Sequence, residues 1–135
     1  MSTLKTTNLQ HSSAGSPAIV LDAAGGVRVA SAPLNEQSGA TYTFVLTDAG
    51  KLVSATNASM ATFTIPPNSS VAFAVGSTIA VVSYGATTCT VAEGAGVTLN
   101  STGGAGADVV IDGQYAGVTL YKVATDTWLA IGAIV

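Results

Sequence analysis

The chain predicts an all-β fold, an antiparallel β-sandwich or barrel-like domain over residues 38–135 preceded by an extended N-terminal arm and a small hairpin within residues 1–37. Three observations lead there. Short runs rich in Thr, Val and Ile recur between turns of Gly, Pro, Asn and Asp, the punctuation of strands. No window of eleven or more residues carries an apolar stripe at i, i+3, i+4 and i+7, and the alanines that favour helix are interrupted by β-branched residues and glycine. Only 8% of the residues are charged, against about 25% in an ordinary soluble domain. A surface so poor in charge is expected to face other protein over much of its area.

Residues 1–17 are polar and aperiodic, and they cannot bury enough apolar surface to offset their own ordering. They read as an arm that orders against a neighbour. Ile19–Leu21 and Val27–Val29 flank Asp22-Ala23-Ala24-Gly25-Gly26, the pattern of a small hairpin. A lone hairpin is marginal in water, so this one is expected to pack on something, with residues 31–38 as its connector.

The body then alternates strands and turns. Tyr42–Leu46 leads to Asp48-Ala49-Gly50, Lys51–Ser54 to a turn at Asn57, and Thr62–Ile65 to Pro66-Pro67-Asn68. The remaining expected strands are Val71–Val75, Thr78–Ser83, Thr88–Ala92, Val97–Asn100, Val109–Ile111, Val118–Val123 and Thr127–Ile131. Alternation places Tyr42, Phe44 and Leu46 on one core-facing side, Phe63 and Ile65 on another, and Cys89 with Val91 on a third. Trp128-Leu129-Ala130-Ile131 is apolar on both sides, as expected of a strand with the core on one face and a subunit on the other.

Composition excludes several classes. The net charge is −3, and the four basic residues, Lys5, Arg28, Lys51 and Lys122, are scattered, so no stripe exists to neutralise a phosphate backbone and nucleic acid is not an expected partner. Mean hydropathy is positive, yet no window approaches the roughly 18 apolar residues of a membrane helix, and no membrane partner is expected. The first residues lack the basic-then-apolar pattern of a secretory signal, which implies assembly in a cytosol. In that setting Asn57, Asn68 and Asn100 read as turn residues rather than glycan acceptors.

No motif carries chemistry. Gly94-Ala95-Gly96 and Gly103-Gly104-Ala105-Gly106 neither open a helix nor precede the lysine of a phosphate-binding loop, so they read as turns. His11, the single histidine, lies in the arm, and no serine elbow presents a nucleophile to it. Cys89, the single cysteine, reads as a small buried hydrophobe. Asp22, Asp48, Asp108, Asp112 and Asp126 stand at turns or strand ends rather than at metal-ligand spacing. The expectation is a protein without catalytic residues, cofactor or metal.

Four blocks, Tyr42–Ser59 (YTFVLTDAGKLVSATNAS), Thr64–Gly85 (TIPPNSSVAFAVGSTIAVVSYG), Val91–Ser101 (VAEGAGVTLNS) and Gln114–Ile131 (QYAGVTLYKVATDTWLAI), together resemble a β-rich module of tailed-bacteriophage virion surface proteins. Leu4–Val27 also resembles the start of some phage structural proteins. The resemblance implies a non-enzymatic, homotrimeric structural protein on the surface of a phage particle. With no long shaft or separate receptor-binding domain in the chain, the expectation is a capsid decoration (cement) protein whose partners are itself and the major capsid protein. The alternative is a small tail-fibre or tail-associated protein that contacts tail proteins and takes part in host adsorption by stacking a host-surface glycan on exposed rings. Tyr121, Trp128, Leu129 and Ile131 are the expected subunit contact, and Leu4, Leu9, His11, Ile19 and Leu21 the expected attachment arm.

Overall fold

The computed structural model describes residues 34–135 except Ala86, and, of the first 33 residues, only the backbone of three short strands. Those strands are β1 (Asn8–Leu9), β2 (Ile19–Leu21) and β3 (Val27–Val29), joined antiparallel in the order β1-β2-β3. Ile19 pairs with Val29 and Leu21 with Val27, which is the hairpin the sequence predicts, and β1 adds a third strand to it. This sheet belongs to one compact unit, Met1–Ala32, and everything that follows belongs to a second, Pro33–Val135.

The second unit is all-β, with a single turn of 3-10 helix at Leu46–Asp48. Its strands are β4 (Leu34–Gln37), β5 (Thr41–Thr43), β6 (Leu52–Ala55), β7 (Ala61–Ile65), β8 (Thr78–Ser83), β9 (Cys89–Glu93), β10 (Thr98–Ser101), β11 (Gly104–Ala105), β12 (Val109–Val110), β13 (Gly117–Ala124) and β14 (Thr127–Gly132). They form a seven-stranded sheet, β11-β10-β14-β13-β8-β6-β4, and a four-stranded sheet, β12-β9-β7-β5.

The pairing is mixed rather than wholly antiparallel. From β4 to β9 the chain alternates between the two sheets, so β4, β6 and β8 are parallel neighbours in one and β5, β7 and β9 in the other. Parallel neighbours require a crossover, and here each crossover passes through the opposite sheet. The connections in this stretch contain Asn57 and Pro66-Pro67 but no two-residue hairpin turn between strands, so they turn corners instead of folding back. The tight Thr125-Asp126 connection does fold back, with Asp126 at φ +54, and gives the antiparallel β13–β14 pair.

Both sheets bury one side in a single apolar core. Phe44, Phe63, Ile65, Val91 and Ile111 meet Val53, Val81, Leu99, Leu120 and Trp128 there, all essentially inaccessible to water. Tyr42, Phe44 and Phe63 pack edge to face with ring centroids 5.5–5.9 Å apart, and Phe73 meets Trp128 in the same manner at 5.4 Å.

Several sequence expectations change. Leu34–Gln37, expected as connector, is an edge strand of the large sheet. Val71–Val75 is not a strand; it is irregular chain that sends Phe73 into the core. Leu46 is exposed instead of following Phe44 inward, because the chain leaves extended geometry at the 3-10 turn. Asn100 lies in β10 rather than in a turn. The expected turns at Asn57, Gly94–Gly96 and Asp112-Gly113 are present, with Ser59 N–H donating to Asn57 Oδ1 (2.7 Å) and Gly96 and Gly113 at φ +79 and +86.

Candidate interaction face

Since Val53, Val81, Val118, Leu120, Trp128 and Ala130 point into the core, the residues between them on the same strands point out. The registers place Leu34, Leu52, Ala80, Thr119 and Ile131 side by side across five strands. Beside this row Thr78, Tyr121 and Leu129 form another. From β6 to β14 the strands contribute no charged side chain to this outer side, and Leu52 and Ile131 are 40% and 55% exposed. Large exposed aliphatics in a contiguous row, with nothing polar between them but threonine, are what protein-binding surfaces show.

The face is grooved. Leu52, Ala80, Val82, Tyr115, Thr119 and Ile131 line an open depression of about 370 Å³. Gly117 and Gly132 also line it, and neither has room for a side chain: a Cβ on Gly132 would lie 2.3 Å from the Gly117 carbonyl oxygen, and one on Gly117 2.8 Å from that of Val81. At the groove stand two exposed rings, Tyr84 and Tyr115, with centroids 5.5 Å apart at 75°. Tyr115 holds φ +66, uncommon for a bulky residue, and its N–H donates to the Ser83 carbonyl at 2.6 Å.

Of the four residues expected at a subunit contact, Tyr121, Leu129 and Ile131 share this outer side. Trp128 does not: its ring is 1% exposed, packed in the core on the opposite side of β14. Alternation alone assigns it there, since Leu129 and Ile131 have the other parity. Among the arm residues, Leu4 and His11 lie outside the described residues. Leu9, Ile19 and Leu21 fall in the three-stranded sheet, of which only the backbone is described.

Two polar clusters lie beneath the surface. In the first, Asp48 is fully buried and accepts hydrogen bonds from Asn35 Nδ2 (2.8 Å), the Tyr42 hydroxyl (2.7 Å) and the Val45 N–H (2.9 Å). Gln37 Nε2 donates to Asn35 Oδ1 at 2.7 Å and extends the network along β4. Desolvation by burial, reinforced by the bond to Asp48, pushes the Tyr42 hydroxyl up to about 12. The sequence reading treats Asp48 as turn chemistry and misses this role. The signal lies in Asn35 and Gln37, two amides on the same side of one strand, which need a buried polar partner.

In the second cluster Lys122 follows Val118 and Leu120 into the interior and is 3% exposed. Its ammonium donates to Asn68 Oδ1 and to the Phe73 carbonyl (2.8 Å), and lies 5.9 Å from the centre of the Trp128 ring. Asp126 Oδ1 accepts the Asn68 backbone N–H. Cys89 is fully buried between strands, and burial pushes its thiol up to about 12. Among the described residues no group of three or more His, Cys, Asp or Glu gathers where it could hold a metal ion.

No model of a known protein family matches the chain, and no curated protein sequence matches it either.

Proposed function

We propose that this chain is a structural protein of a tailed-bacteriophage particle, a homotrimeric capsid decoration protein whose subunits join through the outer side of the seven-stranded sheet, uncharged from β6 to β14. The observation that supports the reading most is that face itself, five strands wide, apolar and without a charge from β6 to β14. The sequence blocks that resemble virion surface modules supply the setting. Association works by removing apolar area from water at roughly 25 cal/mol per Å², and a stable contact needs about 800 Å² from each partner. The first 33 residues then act as three attachment arms on one trimer, a multivalent grip on the major capsid protein.

The deciding measurement is copy number in purified particles, by quantitative mass spectrometry against the major capsid protein. Hundreds of copies in a fixed ratio support decoration of the shell. A few copies per particle reject it and favour the second reading, a tail-associated protein in host adsorption. One feature favours that second reading: the exposed Tyr84–Tyr115 pair offers ring faces on which a sugar can stack. Free protein that binds host cells, and a Tyr115→Ala variant that no longer does, is its expected signature.

A further inference from the structure

Lys122 Nζ lies 2.5 Å from Asn68 Oδ1, one bond from the carbonyl carbon Cγ, in a site walled by Trp128 and Phe73, which are 1% and 3% exposed. Asp126 Oδ1 fixes the Asn68 backbone by accepting its N–H at 2.5 Å. Asp126 is itself pinned, sitting in the tight β13–β14 turn at φ +54 with its carbonyl accepting the Thr98 N–H at 2.8 Å. A buried amine and a half-buried amide are thus brought together from distant parts of the sequence.

We propose that Lys122 and Asn68 form an intramolecular isopeptide bond. The amine form of Lys122 attacks Asn68 Cγ, the new Nζ–Cγ bond forms, and the Cγ–Nδ2 bond breaks. The proton lost by Nζ passes to Nδ2, which leaves as ammonia. No oxidant or cofactor enters, and the products are one secondary amide and one ammonia. Holding the reacting groups in contact replaces the entropy cost of a bimolecular encounter. Asp126 is a positioning residue for Asn68.

The bond ties β13, in the centre of the seven-stranded sheet, to the segment that follows β7 of the four-stranded sheet. It closes a covalent clasp across the core in a chain whose only cysteine has no partner within it. The inference stands apart from the proposed virion role, since it concerns chemistry inside one subunit.

The test is the intact mass of the purified full chain, followed by tandem mass spectrometry of its peptides. The expected mass is that of the sequence less one ammonia, with the Asn68 and Lys122 peptides joined and trypsin unable to cut after Lys122. Asn68→Ala is expected at its full sequence mass, and Asn68→Asp at its own mass less one water, joined at the same site. Asp126→Ala, which removes the acceptor of the Asn68 N–H, is expected to join more slowly. Two results overturn the proposal: wild-type protein at full mass after prolonged incubation, or loss of ammonia without joined peptides, which marks a cyclised asparagine instead. Asp126→Ala joining at the wild-type rate overturns the positioning role.

Discussion

Asp48 shows how a single side chain can organise a corner of the fold. Removing it as Asp48→Ala leaves the Tyr42 hydroxyl, the Asn35 amide and the Val45 N–H without their acceptor, and the expected cost is about 2–4 kcal/mol in urea unfolding. The raised hydroxyl and thiol predict how stability changes in alkali. Tyr42 and Cys89 have folded values of about 12 against ordinary values of 10.0 and 9.0, so the folded chain holds their protons more tightly than the unfolded one. Their contribution is complete below about pH 9 and is lost progressively as pH rises from there to 12. The expected outcome is a melting temperature that falls across that range, with one tyrosine ionising about two units late by ultraviolet absorbance. Cys89 was legible in the sequence, because alternation with Val91 and flanking threonines is a one-dimensional signal. The burial of Asp48 was not, because its side-chain donors come from β4 and β5, and the sequence does not reveal that these strands converge on it.

The β13–β14 hairpin carries the core, the outer face and the Lys122 cluster on opposite sides of the same two strands. Trp128→Ala removes the largest buried side chain and is expected to cost about 3–5 kcal/mol, read from the shift in denaturant midpoint. Where neighbours in sequence are neighbours in space, as in this hairpin, period-2 alternation gave the strands to within a residue or two. It failed at β4, whose Asn35 and Gln37 point to a polar interior that hydrophobic pattern does not flag. It failed again at Val71–Val75, where an apolar run packs as irregular chain because Pro66-Pro67 and the turn after them set its course. The parallel pairing was illegible for a related reason: alternation specifies which side of a strand is buried, not which strand lies beside it.

At the scale of the whole molecule, the proposed assembly would separate association, carried by the outer face, from folding. Ile131→Asp, at a side chain more than half exposed, is expected to shift chain stability by no more than about 0.5 kcal/mol. It is also expected to convert trimers to monomers in sedimentation equilibrium, whereas wild-type protein that sediments as a monomer at high concentration sets the assembly reading aside. The uncharged character of that face was legible from composition, but its position was not, because it depends on which strands join in one sheet. The winding of the chain between two sheets has a further consequence, in time. Leu34 must find Leu52, and Leu52 must find Ala80, so each parallel ladder closes a loop of roughly twenty to thirty residues before its contacts repay the lost entropy. The β13–β14 hairpin is the large sheet's longest local pairing, and it is made after the sheet's other strands. The chain is therefore expected to refold slowly, in milliseconds to seconds. During synthesis its earlier strands have no completed sheet to join until the β13–β14 hairpin is made.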